Sequence, residues 1–364
     1  MDMLSILNEA VRRGASDVHV VVGLPPMVRI NGELRPLDEP SLTAADAKTL
    51  VYSILHDEQK QHFEEHLELD ASHAIPGVAR FRVNVLLHNN GAGAVLRVIG
   101  ASAPTVEQIE LAPAMIELCH LPRGLVLVTG PTGSGKSTTL AAMVQLINTK
   151  YRYHVITIED PIEFVYEAVS CIITQREVGH QTHSFNNALR AAMRQDPDVI
   201  LVGEMRDLET IALALTAAET GHLVFATLHT ADVTQTIDRI VDVFPPYQQQ
   251  QVRVQLAGVL QGVISQTLLP RADGNGRVAA RELLLASPAV RNLIREGKTH
   301  QLYTVIETSA RAGMVSLDRA LAGLVRERKV SMDAALAKAS DADTMRKYLD
   351  VGRPTGMPPA SAWR

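Results

Sequence analysis

The sequence predicts an α/β protein: a small α+β N-terminal domain followed by a larger domain with a parallel sheet covered by helices. Three observations carry that expectation. Short apolar runs at 125–129, 155–159, 199–202 and 223–227 have helical stretches between most of them, the pattern of a parallel sheet buried on both faces. The first of these runs opens onto Gly130-Pro131-Thr132-Gly133-Ser134-Gly135-Lys136-Ser137, a glycine-rich turn from strand to helix. Before residue 100 the apolar residues instead alternate with polar ones, as in a half-buried strand.

Composition bounds the rest. The 364 residues suffice for two or three domains. A balance of 46% hydrophobic and 21% charged residues is that of a soluble globular chain able to bury cores. The net charge of −5 gives no bias toward nucleic acid, which a basic domain would advertise. Cys119 and Cys171 are the only cysteines, so a disulfide framework or a CxxC zinc pair is excluded, and both read as small buried hydrophobes. The N-terminal segment MDMLSILNEAVRRGASD is an amphipathic helix with acids, without the basic and apolar regions of a leader. No run approaches the ~20 apolar residues that span a bilayer. The expected location is cytoplasmic unless a partner brings the protein to a membrane.

Along the chain, residues 17–22 and 27–30 read as strands, with Asn31-Gly32 as a hairpin turn. Thr43 and Asp46 form a capping box opening a helix whose Ala47, Leu50, Val51 and Ile54 share one face. In 78–88, Ala79, Phe81, Val83, Val85 and Leu87 alternate with Arg80, Arg82 and Asn84, which predicts a half-buried strand. The turn at 89–93 returns the chain as a strand over 94–99, with Arg97 on it. Residues 101–122 read as a linker and a short helix from about 105 to 118. The second domain's core is expected over 123–286. The last third, about 247–350, reads as mostly helical, with Val252, Leu256, Val259, Leu260, Val263 and Ile264 as one apolar stripe and a helical C-terminal part over 287–350. The Pro- and Gly-rich 351–364 reads as a disordered tail.

The candidate chemistry starts at the loop. Gly130 to Ser137 satisfies the P-loop signature completely, with a strand before it and a helix after it. Its glycines let successive N–H groups turn inward onto phosphate oxygens, beside the positive end of a helix. Lys136 is expected to bridge the β- and γ-phosphates of ATP, and Ser137 to hold Mg²⁺. Hydrolysis further needs a carboxylate to orient or deprotonate water. Two strand ends offer one: Glu159, Asp160 and Glu163 follow one apolar run, and Glu204 follows another after Gly203. The residues alone leave the choice among Glu159, Asp160 and Glu163 open. His222 and His229 bracket the run at 223–227, and a histidine there could sense the γ-phosphate. His180 and His183 read as a solvated loop, because no further ligand stands near them to hold a metal.

The segments GASDVHV, GLPPMVRING, GVARFRVN, GPTGSGKSTTLAAM, ITIEDPIEF, LRAAMRQDPDVILVGEMRDLETI, LALTAAETGHLVFATLHT and TIDRIVDVFP closely resemble the secretion ATPase superfamily. Within it the chain resembles the type IV pilus retraction ATPases of the PilT type, from about residue 3 to 335. The resemblance implies a PAS-like α+β N-terminal domain over 1–100, then a RecA-like P-loop NTPase domain with the helical C-terminal part. It implies a homo-hexamer at the inner face of the cytoplasmic membrane, an inner-membrane pilus platform protein as partner, and a second, accessory retraction ATPase as a further one. By position it implies that Gly130, Pro131, Thr132, Gly133, Ser134, Gly135, Lys136, Ser137 and Thr138 hold the nucleotide. Glu163 becomes the catalytic glutamate, Glu204 the Walker B glutamate and a Mg²⁺ ligand with Ser137, and His222 and His229 the paired histidines. Arg80, Arg82 and Arg97 match the N-domain arginines that reach the nucleotide, and residues 289–295 the retraction motif, with Val290 where Ile is common.

The shared core does not separate retraction from pilus assembly or type II secretion motors. Those motors usually carry a longer N-terminal region and a tetracysteine zinc module, so the expectation here is retraction. A nucleic-acid translocase is disfavoured by the acidic net charge and by an aromatic content of only 4%, which leaves few stacking platforms. A non-hydrolysing scaffold is disfavoured by the intact acids.

Overall fold

The structure, a computed structural model, describes residues 2–30, 32–75, 77–99 and 103–350. Asn31 of the expected hairpin, residues 100–102 of the expected linker and the expected tail at 351–364 lie outside the described residues. Internal contacts divide the chain into two units, Met1–Ser102 with Glu163–Val165, and Ala103–Ile162 with Tyr166–Arg364.

In the first unit the chain runs α1 (Met3–Arg12), β1 (Asp17–Val20), β2 (Met27–Ile30), β3 (Glu33–Pro36), α2 (Ala44–Tyr52), α3 (Asp57–His66), β4 (Glu68–Ile75), β5 (Ala79–His88) and β6 (Gly91–Ile99). The strands form one antiparallel sheet in the order β3-β2-β1-β6-β5-β4. Alternation sorts its two faces. Phe81, Val83 and Val85 of β5, Val18 and Val20 of β1 and Leu96 of β6 are buried with Met3, Ile6 and Leu7 of α1 and Ala47, Leu50 and Val51 of α2. The opposite face keeps Arg82 and Asn84 exposed. Leu87, the last of the alternating set, is half-exposed at the end of β5. The capping box forms as expected: Thr43 Oγ1 accepts from Asp46 N at 3.2 Å and Asp46 Oδ2 accepts from Thr43 N at 3.0 Å. The α3 and β4 segments carry no clear apolar period, since α3 buries only Phe63.

The second unit comprises α4 (Pro113–Ile116), β7 (Gly124–Thr129), α5 (Lys136–Lys150), β8 (His154–Glu159), β9 (Ile172–Glu177), α6 (Phe185–Ala192), β10 (Val199–Val202), α7 (Leu208–Glu219), β11 (Leu223–Leu228), α8 (Val233–Asp242), α9 (Pro246–Val259), β12 (Leu260–Pro270), β13 (Arg277–Leu285), α10 (Pro288–Arg295), α11 (Leu302–Thr308), α12 (Leu317–Arg326), α13 (Met332–Leu336) and α14 (Ala342–Asp350). Its sheet order is β13-β12-β7-β11-β10-β8-β9, parallel throughout except for the β12–β13 pair. Successive residues of β7 feed two cores, Leu125 and Leu127 on one face and Val126 and Val128 on the other. A strand buried on both faces has no polar side, which is why it reads as a continuous apolar run. Among the described residues no helix is long and apolar enough to cross a membrane. Both cysteines are buried, and burial pushes the Cys119 thiol up to about 12.

Two expectations are corrected. The helix at 105–118 shrinks to α4 and a 3-10 turn at Glu117–His120. Pro113 has no N–H to continue an upstream helix, and Glu110 takes a left-handed φ of 52°. The mostly helical reading of 247–350 fails at Leu260, where α9 ends and the β12–β13 hairpin begins. Periodicity cannot separate a buried strand from a buried helix in a short apolar run. Here the β-branched Val263 and Ile264 favour the strand that pairs with β7.

Glu282 of β13 is 5% exposed, and its Oε2 accepts from the Val233 N–H that opens α8, at 3.1 Å. Burial pushes its carboxyl up from 4.5 to about 7 despite that hydrogen bond, and the charges of Asp232, Asp318 and Glu307 push the same way. A raised folded-state pKa means the group's contribution to stability is full below about 4.5 and is lost as pH rises through about 7. The melting temperature of the native protein should therefore fall relative to Glu282→Gln between pH 5 and 8. Parallel melting curves for the two proteins across that range would show that Glu282 does not titrate there.

Candidate active site

At the end of β7 the chain passes from Thr129 into the loop 130–135, and α5 begins at Lys136. Two glycines are demanded by the strand beside the loop. At Gly130, with φ +142°, a Cβ would stand 2.3 Å from the Gln266 carbonyl oxygen and 2.6 Å from Ser134 Oγ. At Gly135, with φ +87°, it would stand 3.2 Å from Gln266 Nε2. Gly135 is also the N-cap of α5 and supplies no side-chain cap, so the first-turn amides are left for another acceptor. Lys136 is buried and its Nζ donates to the carbonyls of Gly130 at 2.9 Å and Pro131 at 3.2 Å. Ser134 Oγ is buried without a hydrogen-bond partner. Uncapped amides, an ammonium and an orphaned hydroxyl around one turn suit a polyphosphate. Ser137 and Thr138 are half-buried on the first turn of α5, and Pro131, Thr132 and Gly133 are exposed.

The parallel strands bring further polar groups to the same edge of the sheet. Glu204 follows β10 and His229 follows β11, with His229 Nε2 2.9 Å from Glu204 Oε1. Nδ1 of His229 lies 3.4 Å from Thr132 Oγ1 and 3.5 Å from Lys136 Nζ. An ammonium only donates, so Nδ1 is the ring's acceptor and Nε2–H donates to Glu204. Arg206 Nε holds the same carboxylate oxygen at 2.6 Å. Burial pushes the Glu204 carboxyl up, but the Arg206 hydrogen bond and the charges of Arg206 and Lys136 outweigh it and hold it below the ordinary range. Gly203 has a steric reason to precede it. A Cβ there would lie 3.0 Å from the Ile158 oxygen and 3.2 Å from Glu159 Cα.

The other expected residues fall elsewhere. His222 precedes β11, where its Nδ1 faces the Ala217 carbonyl at 2.9 Å and Thr220 Oγ1 at 3.3 Å. The whole of β11 separates it from His229, roughly 23 Å at ~3.3 Å per residue. Within one chain the two histidines do not share a site. Glu159 ends β8, and its Oε1 accepts from Thr157 Oγ1 at 2.7 Å and Gln175 Nε2 at 3.3 Å. Glu163 is exposed on the segment after β8 and groups with the first unit. In that first unit Arg82 pairs in register with Arg97, and Arg80 Nη2 donates to Ser72 Oγ at 2.9 Å. Arg97 Nε donates to Asp17 Oδ1 at 3.0 Å, and Arg29 Nε lies 3.9 Å from Asp17 Oδ2.

Sequence reasoning missed the residues that hold the loops. Gln266 of β12 bonds both the P-loop and α5. Ser265 Oγ donates to the Ala231 carbonyl at 2.9 Å, and Thr236 Oγ1 reaches Thr129 Oγ1 at 3.3 Å and Thr230 Oγ1 at 2.7 Å, tying the segment after His229 to β7 and β12. The available signal was the polar Ser265-Gln266-Thr267 set between the apolar pairs Val263-Ile264 and Leu268-Leu269.

Fold and site together define a P-loop protein whose sheet edge carries an acid and a histidine beside the loop. The chain belongs to the type II/IV secretion system protein family, whose profile matches residues 2–283. It is 53% identical over 339 residues to the type IV pilus retraction ATPase PilT of Pseudomonas aeruginosa, covering 93% of this chain and 98% of that protein. It is 38% identical to the type IV pilus ATPase PilU of the same organism, with 97% and 92% covered. The crystal structure of the pilus retraction motor PilT with bound ADP superposes with a TM-score of 0.89 at 48% identity, covering 94% of this chain and 98% of that one.

Proposed function

We propose that this protein is an ATPase motor that hydrolyses ATP to power type IV pilus retraction, and with it twitching motility. The observation that carries the reading is the hydrogen-bonded path from the P-loop through His229 to Glu204. Its counterpart in the comparisons is the near full-length identity to a retraction ATPase, together with the ADP of the related motor.

In this reading the amides of residues 130–138 and the Lys136 ammonium bind the phosphates of ATP. Ser137 Oγ and the Glu204 carboxylate are the hard oxygen donors for Mg²⁺, which would neutralise phosphate charge when bound. Because Glu204 is held below the ordinary carboxylate range, it stays charged for that work. His229 couples the loop to Glu204, so a change at the phosphate end is felt at the acid. Glu163 is the general base for water. The family resemblance, which matches Glu163 to the catalytic glutamate by position, supports that choice. His222 is not assigned a place beside His229 in the same chain.

The motor is read as a homo-hexamer working at the cytoplasmic face of the inner membrane against the pilus platform protein, with a second, PilU-like ATPase as accessory partner. Residues 1–100 are assigned as a PAS-like domain, 101–122 as linker and helix, 123–286 as a RecA-like core and 287–350 as the helical C-terminal part. Arg80, Arg82 and Arg97 are assigned to a nucleotide held by the P-loop of a neighbouring subunit, where a guanidinium stays charged and offers forked donors to phosphate oxygens.

Lys136→Ala should abolish phosphate release from ATP while the protein still folds and assembles, and near-normal turnover would remove the basis of the reading. Glu163→Gln should keep nucleotide affinity while kcat falls ~10²–10⁴-fold, or about 3–5 kcal/mol in the barrier. Normal turnover by Glu163→Gln beside a dead Glu159→Gln would move the base to Glu159. Mixed hexamers of Lys136→Ala and Arg97→Ala subunits, each inactive alone, should recover part of the activity. No recovery in verified mixtures would put the arginine in the same subunit as its P-loop. In cells, deletion should give hyperpiliated bacteria that do not twitch.

A further inference from the structure

We infer that Gln266 is a positioning residue for the phosphate-binding loop, fixing the last peptide of the loop and the first turn of α5 in the shape that receives phosphates. The inference rests on the nucleotide-site reading above and adds a residue outside the P-loop signature. Gln266 sits on β12, the strand beside β7, and is 3% exposed. Its Nε2 donates to the Ser134 carbonyl at 2.7 Å, and its Oε1 accepts from Thr139 Oγ1 at 2.8 Å.

The orientation of the amide follows from its neighbours. Arg281 Nε lies 3.4 Å from Gln266 Oε1, and a guanidinium can only donate. The Ser134 carbonyl on the other side can only accept. A flipped amide would set N–H against guanidinium and oxygen against oxygen. Arg281 is itself tethered, because its Nη1 donates to the Ile109 carbonyl at 3.1 Å. The Gln266 side chain is thus fixed from behind before it touches the loop.

Its grip on Ser134 has a consequence for the next N–H. In a trans peptide the carbonyl and the following N–H point in opposite directions. Holding the Ser134 oxygen toward β12 turns the Gly135 N–H away from it. The bond to Thr139 acts on the helix itself, because Thr139 N donates to the Gly135 carbonyl at 3.0 Å in the opening turn of α5. One side chain therefore ties the loop's final residues and the helix start to a neighbouring strand. The crowding of a Cβ at Gly130 by the Gln266 backbone and at Gly135 by its side chain is the steric side of the same contact.

A buried glutamine that only stabilised the fold would, on removal, lower the folded fraction and Vmax together and leave KM alone. A positioning residue changes affinity in protein that is still folded. The test is the full-length protein carrying Gln266→Met, which removes both hydrogen bonds, or Gln266→Glu, which keeps the acceptor for Thr139 and Arg281 but opposes the Ser134 carbonyl. KM for ATP and Kd for a fluorescent ADP should both rise at least roughly tenfold in each variant, the scale of the hydrogen bond to Ser134 that both variants lose. Thr139→Val should weaken binding in the same direction, and less than additively on top of Gln266→Met. Unchanged Kd and KM in the folded Gln266 variants would overturn the inference, as would a loss confined to Vmax that follows the melted fraction. If Gln266→Met does not fold, Gln266→Glu and Thr139→Val decide by the same criteria. Lys136→Ala run alongside separates the two levels. Wild-type ADP affinity in that variant would sink the nucleotide-site reading, whereas its loss beside normal Gln266 variants would sink only the present inference.

Discussion

One constraint governs the second unit: a turn with inward-facing peptide groups and a buried ammonium has to be held at the end of a strand that has no polar side. The strand β7 cannot help, since every one of its residues is buried and its side chains serve two cores. The loop is fixed from the neighbouring strands instead. On one side β12 supplies Gln266 and crowds Gly130. On the other, β11 leads into His229, which meets Thr132 and Lys136. A parallel sheet makes this possible because it delivers the carboxyl ends of several strands to one edge.

That edge also explains how an acid can sit near the loop without losing its charge. Removing Glu204 from water costs free energy, and on its own that cost would favour the protonated form. Arg206 and His229 both meet the same oxygen, and the Lys136 charge adds to them. Close packing of β10 against the end of β8 crowds a side chain at Gly203, and the acid stands at the next residue.

Much of this was legible in the sequence, and the exceptions share physical causes. The P-loop was readable because its glycines encode backbone conformation, and β7, β8, β10 and β11 because burial on both faces writes an apolar run. The strand β9 at the sheet edge was not, with Ile172 67% exposed and no strong period. The elements α3 and β4 were missed for the same reason. The β12–β13 hairpin was hidden because α9 runs directly into a strand with a similar apolar spacing. With β12 misread, Gln266 could not be seen as facing the loop. The two histidines show the opposite failure. They flank one short run in sequence, and only the extended geometry of a strand reveals that they lie at opposite ends of the sheet.

The arginine face of the first unit bears on the same question through electrostatics. Arg82 and Arg97 are direct cross-strand partners, and Asp17 and Arg29 continue the row across β1 and β2. Like charges directly opposite each other destabilise a sheet. Asp17 relieves part of that cost, accepting from Arg97 and standing close to Arg29, and burial of its carboxyl is outweighed by Ser16 and Arg97 so that it stays charged. Among the described residues Arg82 is paired with Asp70 at 3.9 Å, with both side chains largely exposed, a pair worth little in water. The row therefore retains an excess of positive charge that folding alone does not require. An anion supplied from outside the sheet would neutralise it, which supports assigning these arginines to phosphate.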